Sequence, residues 1–321
     1  DAVGGRAQVR VAILGEAMLE YRSAGPASAG LHYGGDTLNT AIHMVRAGCT
    51  VAYATALGRD GLSDALVADW RREGLDTSLV LRHPDRHPGI YAIHLDAQGE
   101  RSFLYWRDRS AARELFSLPA VDPVFAAIPQ ADLFYFSHIS LAILPPAGRA
   151  AMIALAQQVR ARGGLVAYDS NYRPRLWEGH AAARSWSDRA VALASIGLPT
   201  MEDELALHGT QASAEQIASR WHDLGCQEVV VKRGAAGPLV AIRDAAPFHL
   251  GCEAVAMLDS SGAGDAFNAA YLAARLRGEG AAGAARHGHA LAAWVITRPG
   301  ALPPHTTDAP YRTPAQTETA R

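Results

Sequence analysis

A chain of 321 residues with 49% apolar and only 19% charged side chains can bury a large core, which excludes disordered and collagen-like classes. Thirty basic against thirty-two acidic residues give a net charge of −2, so no overall field recruits nucleic acid or an anionic membrane, and an anionic ligand must be held locally. The longest apolar runs, such as residues 291–296, fall far short of the roughly 20 residues of a membrane span.

Cys49, Cys226 and Cys252 are odd in number, widely spaced and outside any CxxC pattern, so neither a disulfide framework nor a zinc knuckle is expected. No basic region followed by an apolar core opens the chain, which begins at Asp1, and a cytoplasmic protein is expected. Of the 30 basic residues 29 are Arg, and Lys232 is the only lysine. An ammonium differs from a guanidinium in size, geometry and hydration, which makes that position a candidate for a specific contact.

In chain order, a buried-type strand over residues 9–15, a helix over about 37–47 and an apolar run over 51–57 read as β-α-β. A second helix is predicted over about 62–73, where Leu62, Leu66, Val67 and Trp70 share one face. From about 78 to 106 the pattern changes: residues 89–95 and 101–106 alternate, with Asp96-Ala97-Gln98-Gly99 as the turn of an antiparallel pair. Continuous apolar strands then return at 133–137, 165–169, 196–198 and 229–232, with helices at about 147–161, 181–194 and 214–224, as in a parallel sheet covered on both faces. A β-rich section, 238–242 and 247–250, precedes two final helices at about 263–277 and 282–295. Residues 1–8 and the polar, Pro- and Thr-rich stretch 303–321 are expected to be disordered. The prediction is one α/β domain over 9–302, with a small β insertion and ligands at the carboxyl ends of its strands.

Asp259-Ser260-Ser261-Gly262-Ala263-Gly264-Asp265 leads into an apolar helix. A Gly-Ala-Gly turn lets a ligand approach the backbone, and the open amides at a helix start attract anions. Asp265 is then either a base beside a bound phosphate or an acid that stabilises the helix by ~0.3–1 kcal/mol. Gly34-Gly35-Asp36-Thr37-Leu38-Asn39 also leads into a helix, either as a backbone cradle with Asn39 as donor and acceptor or as a turn capped by Asp36 or Thr37. Lys232 ends a strand before Arg233-Gly234-Ala235-Ala236-Gly237, a surface turn or a nucleotide cradle. Other chemistries lack their signatures. There is no G-x-x-x-x-G-K-[ST], no third glycine for G-x-G-x-x-G and no G-x-S-x-G elbow. The pairs His287 with His289 and His83 with His87 have no further ligand at metal spacing.

The spacing Gly34-Gly35-x-x-x-Asn39-x-Ala41, then Gly48 and Gly58, resembles the N-terminal pattern of the ribokinase-like sugar kinases of the phosphofructokinase B type, and Asp259-x-x-Gly262-Ala263-Gly264-Asp265 resembles their C-terminal one. More narrowly, residues 34–40, Tyr105-Trp106-Arg107 and the stretches 140–144, 171–177 and 229–235 resemble the subgroup acting on the sugar acid 2-keto-3-deoxygluconate. The likeness runs from about Val11 to Pro303. It implies a ribokinase-like three-layer α/β sandwich with a mostly parallel central sheet. A small β-sheet lid, from segments at about 17–33 and 78–107, would double as the contact of a homodimer or higher homo-oligomer. The implied reaction moves the ATP γ-phosphate to a primary sugar hydroxyl, with Mg2+ as cofactor and room for a monovalent cation.

Carried over by position, Asp265 would be the base, and the amides of Gly262, Ala263 and Gly264 would stabilise the phosphoryl group. The sugar would lie against Gly34, Gly35, Asn39 and Tyr91, with Tyr105, Arg107 and Arg173 at its acid end. ATP would meet Asn171, Arg173, Thr200, Lys232, Gly234, Gly237 and His289. A carboxylate substrate meeting a chain of net charge −2 needs a specific cation, and the planar fork of Arg matches it. Two features depart from the pattern. Many relatives carry Asn-x-x-Glu for magnesium where this chain has Thr200-Met201-Glu202-Asp203, so no metal ligand is assigned. Ribose-type relatives have an Asp near the end of the first strand, where this chain has Gly15-Glu16. The rivals are a ribokinase-like kinase of a neutral sugar or nucleoside, in which Tyr105 and Arg107 would not face the sugar, and a silent sugar-acid-binding regulator, which need not keep Gly262-Ala263-Gly264 together with Asp265.

Overall fold

In the computed structural model, which describes residues 10–22, 30–95, 101–252 and 255–311, strand β1 (Arg10–Leu14) is covered on both faces. Val11 and Ile13 join one apolar cluster and Ala12 and Leu14 another, as the two-residue period of a strand requires. The chain leaves this body for β2 (Met18–Arg22) and β3 (Gly30–Gly34). It returns through α1 (Asp36–Arg46), β4 (Thr50–Leu57), α2 (Gly61–Glu73) and β5 (Val80–Arg82), then leaves again for β6 (Gly89–Leu95) and β7 (Arg101–Trp106). Next come α3 (Asp122–Ala127), β8 (Leu133–Ser137), α4 (His138–Ile143), α5 (Pro146–Ala161), β9 (Leu165–Asp169), α6 (His180–Leu193) and β10 (Ile196–Gly197). The chain continues with α7 (Met201–His208), α8 (Ala214–Leu224), β11 (Glu228–Val231), β12 (Leu239–Ile242), β13 (Phe248–His249), α9 (Ala263–Leu276) and α10 (Ala281–Ile296).

The body sheet has nine strands in the order β13-β12-β11-β10-β9-β8-β1-β4-β5, parallel except at β12 and β13. Helices α1, α2, α9 and α10 cover the face bearing Val11 and Ile13, and α3 to α8 cover the other. This is the expected three-layer sandwich. Strand order reverses at β1, between β8 and β4, so a crevice opens at the carboxyl ends there. The lid is a separate four-stranded sheet, β3-β2-β6-β7, in which Glu20, Tyr91 and Tyr105 stand opposite one another on one face.

The second sheet draws its strands from the two segments expected at about 17–33 and 78–107, with one difference. β5, inside the later segment, pairs with β4 in the body, so the lid resumes only at Gly89. The predicted turn at 96–99 lies outside the described residues, as do residues 1–9 and 312–321. The expectation of disorder from Pro303 onward fails for residues 303–311. Tyr311 is buried beside Trp294 and Leu291, with its hydroxyl 2.6 Å from His43 Nδ1. Arg46 donates to the carbonyl of Pro303 at 2.7 Å and Trp294 Nε1 to Asp308 at 2.9 Å. A polar average over the stretch hid one aromatic anchor and its partners. Among the described residues no helix is long and apolar enough to cross a membrane, and all three cysteines are free thiols.

Candidate active site

Gly262 enters α9 at φ 72°, where a Cβ would also lie 2.5 Å from that of Ala301, so only glycine fits. The amide of Ala263 reaches back to the carbonyl of Ser260 at 3.3 Å. Among the described residues nothing accepts from the amides of Gly264 and Asp265, which leaves two donors at the positive end of a 14-residue helix. Asp265 is buried on the first turn, and Asn39 Nδ2 donates to its Oδ2 at 2.8 Å. That bond joins the two glycine-led segments of the sequence, 226 residues apart.

Two further carboxylates flank Asp265. Asp36 opens α1 and accepts from Asn171 Nδ2 at 3.0 Å. Asp169 ends β9 and is bonded by Asn268 Nδ2 at 3.0 Å and by Lys232 Nζ at 2.9 Å. Lys232 Nζ also donates to Asn268 Oδ1 at 3.1 Å, and a Cβ on Gly264 would lie 3.6 Å from it. The lone lysine is therefore buried between the α9 turn and Asp169, not on a surface turn. Burial, then the charges of Asp36 and Asp169, push Asp265 up to about 8, against the opposing pull of Asn39 and Lys232. Burial raises Asp36 as well.

On the lid side, a Cβ on Gly34 would come within 2.5 Å of the Tyr91 hydroxyl and 3.4 Å of Glu20 Oε2. The Tyr91 hydroxyl donates to Glu20, and its ring stacks on Tyr105 with centroids 5.9 Å apart. Gly35, at φ 141°, passes so close to Glu16 that a Cβ would sit 2.4 Å from that residue's carbonyl oxygen. The Arg107 guanidinium lies 5.9 Å from the Tyr105 ring, yet it is buried and bonded to Glu16.

On the other side, half-exposed Arg173 donates to the carbonyl of Tyr172 at 2.7 Å and to Asp203 Oδ1 at 3.3 Å. Burial pushes Asp203 up to about 6, with Arg173 opposing. Thr200 precedes α7 and donates its amide to Ser170 Oγ at 3.0 Å, while Lys232 bonds the backbone on either side of it. Gly234 and Gly237 shape the turn after β11 at φ 53° and 74°, and His289 lies on α10, the helix packed along α9.

The predicted residues Asn39 on α1, Asp265 on α9, Asn171 just after β9 and Lys232 just after β11 thus converge. What the sequence does not show is how much negative charge gathers here: Glu16, Glu20, Asp36, Asp169, Asp203 and Asp265 stand against Arg107, Arg173 and Lys232, and Glu20 and Asp169 are not among the expected site residues. Asp169 had a usable signal, since it stands at the carboxyl end of β9, where open α/β sheets place chemistry. Asp36, Asp203 and Asp265 are each held above the ordinary carboxylate range, burial being the largest cause and neighbouring carboxylates adding to it.

A family model, "pfkB family carbohydrate kinase", matches residues 10–308. The chain is 40% identical over 301 residues to the 2-dehydro-3-deoxygluconokinase of Dickeya dadantii (strain 3937), covering 92% of this chain and 96% of that protein. It is 36% identical over 299 residues to the 2-dehydro-3-deoxygluconokinase of Haemophilus influenzae, covering 91% and 95%. A solved structure of a PfkB protein from Polaromonas sp. JS666 superposes with a TM-score of 0.80 at 26% identity, over 98% of this chain and 100% of that one. Aminoimidazole riboside kinase from Salmonella enterica, complexed with aminoimidazole riboside and an ATP analog, shares the fold with a TM-score of 0.78 at 23% identity, over 97% and 98%. With the glycine-led starts of α1 and α9 meeting at Asp265 and a family match along nearly the whole chain, this protein belongs to the pfkB family of carbohydrate kinases.

Proposed function

We propose that the chain transfers the γ-phosphoryl group of ATP to the 6-hydroxyl of 2-keto-3-deoxygluconate, another name for 2-dehydro-3-deoxygluconate, giving 2-keto-3-deoxy-6-phosphogluconate and ADP. The observation that carries the substrate is 40% identity over 92% of the chain to a 2-dehydro-3-deoxygluconokinase. The 6-oxygen attacks the γ-phosphorus while the bond from that phosphorus to the β–γ bridging oxygen breaks. The hydroxyl proton passes to the Asp265 carboxylate, and ADP leaves with the bridging oxygen. A base whose proton affinity lies near the working pH suits this transfer. The open amides of Gly264 and Asp265, with Gly262 and Ala263 shaping the turn and Lys232 beside it, offset the charge on the transferring group.

Gly34, Gly35, Asn39, Tyr91 and Tyr105 line the sugar side, with Arg107 and Arg173 toward its acid end. Asn171, Thr200, Gly234, Gly237 and His289 serve the nucleotide. Asp203, raised by burial and then by the charge of Asp169, would together with Asp169 hold Mg2+, which binds through one or two carboxylates together with substrate phosphates. When bound, the ion would offset the negative charge of the phosphoryl oxygens.

The lid also supports a homodimer. Tyr21, Leu31, Ile90, Leu104 and Trp106 are exposed together on the face opposite Tyr91 and Tyr105. A monomer rarely leaves so large an apolar patch bare, and a second copy covers it. The test of the reaction is ADP release over a panel of sugar acids, fructose and ribose. Preference for 2-keto-3-deoxygluconate is expected, and preference for a neutral sugar would replace the reading with a neutral-sugar kinase.

A further inference from the structure

The crossings between body and lid meet at one point. Glu16 precedes β2, Gly35 follows β3, Gly89 opens β6 and Arg107 follows β7. A Cβ on Gly89 would lie 3.1 Å from both Glu16 Oε1 and Arg107 Cβ, and one on Gly35 would strike the Glu16 backbone. The crossing therefore has room for one pair of large side chains, Glu16 and Arg107, which are 1% and 7% exposed.

The pair is asymmetric. Arg107 Nε donates to Glu16 Oε2 at 2.8 Å and Nη2 donates to the same oxygen. Glu16 Oε1 is buried with no hydrogen-bond partner, and among the described residues nothing accepts from Arg107 Nη1. A side-by-side carboxylate–guanidinium fork uses both oxygens. Leaving one dry is unfavourable, so this arrangement does not maximise the pair's own bonding. Its effect is to fix two of the three guanidinium nitrogens and leave the third without an acceptor among the described residues, in a guanidinium whose central carbon lies 5.9 Å from the centroid of Tyr105, the ring that stacks on Tyr91 above Gly34.

We propose that Glu16 is a positioning residue for sugar-acid recognition: by holding Nε and Nη2 of Arg107 it presents Nη1 to the substrate carboxylate. This rests on the reading of Arg107 as a ligand of the acid end. Because Glu16 neutralises Arg107, recognition comes from one directed N–H rather than from net charge, and it is sensitive to where the guanidinium is held. Glu16→Gln keeps the side-chain length but loses the charge-assisted grip, and Glu16→Asp keeps the charge but withdraws it by one methylene.

The experiment measures kcat and the KM values of 2-keto-3-deoxygluconate and ATP for the wild type, Glu16→Gln, Glu16→Asp, Arg107→Ala and the double variant Glu16→Gln/Arg107→Ala. Glu16→Gln is expected to raise the sugar-acid KM by about tenfold, the equivalent of about 1.4 kcal/mol, with the KM for ATP nearly unchanged and Glu16→Asp intermediate. In the Arg107→Ala background there is nothing left to position, so Glu16→Gln leaves the sugar-acid KM unchanged. It also raises the melting temperature of that background, because it removes an unpaired buried carboxylate. An equal rise in KM in both backgrounds, an equal rise for ATP, or no rise in either Glu16 variant overturns the proposal. Should Glu16→Gln fail to fold, Glu16→Asp carries the same comparison. A wild-type enzyme that does not turn over 2-keto-3-deoxygluconate refutes the substrate assignment instead, before any variant is made.

Discussion

Replacing Asp265 by Asn should separate catalysis from stability, because the fold holds this carboxyl in a state it would not choose in water. Its proton affinity rises from an ordinary 3.8 to about 8, chiefly through burial and then through Asp36 and Asp169. Between those limits the folded protein keeps a proton that the unfolded chain has released, so stability falls as pH rises. One such proton gives a slope of at most about 1.4 kcal/mol per pH unit. Coupling to Asp36, which burial also raises, flattens it. The stability is intact below pH 4, is lost progressively through the window, and changes no further from this source above pH 8. The side-chain amide of the Asp265→Asn variant cannot titrate but still accepts from Asn39, so the variant should match the wild type near pH 4 and exceed it increasingly toward pH 8. Urea unfolding of both proteins at several pH values gives the comparison, and parallel stability curves would refute the account of this site. The same variant should lose roughly 10²–10⁴ in kcat, the contribution of a positioned base. Near-normal turnover would remove Asp265 from that role.

Arg107→Ala removes a charge-assisted bond worth ~1.5–3 kcal/mol, so kcat/KM for 2-keto-3-deoxygluconate should fall roughly 10- to 150-fold while the slow rate with fructose barely changes. Equal losses on both substrates would make Arg107 a purely architectural residue. Tyr311→Phe strands the buried, neutral His43, whose Nδ1 accepts from the tyrosine hydroxyl while Nε2 donates to the Ala301 carbonyl. A loss of ~1–3 kcal/mol in urea unfolding is expected, and an unchanged midpoint would mean that residues 303–311 do not dock. Trp106→Glu puts a charge into the bare outer face of the lid and should convert a dimer to monomer in sedimentation. A wild-type monomer would refute the proposed contact.

The body was legible wherever local pattern and tertiary role agree. Strands β1, β8 and β9 read as continuous apolar runs because helices cover both their faces, and the α9 turn announced itself because only glycine tolerates Gly262's φ and the approach of Ala301. Lys232 drew attention only because every other basic residue is Arg, and it proved to stand beside that turn. Helices α4 and α7 are too short to build a periodic face, with six and eight residues, and went unread. The edge strand β5 alternates with too few residues to declare which sheet it joins. Residues 303–311 show the converse, a segment polar on average that is fixed by a few specific contacts.

The site was half legible for a different reason. A sequence displays its charges but not their partners, and here the partners are remote: Glu16 and Arg107 are separated by 91 positions, Asp169 and Lys232 by 63, Arg173 and Asp203 by 30. Read alone, each cation promises a free grip on a carboxylate or a phosphate. The β1–β8 reversal and the return of the lid bring an acid to each of them, so the cleft carries more negative than positive charge. Affinity for anionic substrates must then come from directed N–H groups and helix-end amides rather than from a basic field, and the proton held by Asp265 becomes part of the binding equilibrium. A ligand that brings cations with it should drive that proton out, which couples nucleotide binding to the ionisation of the base.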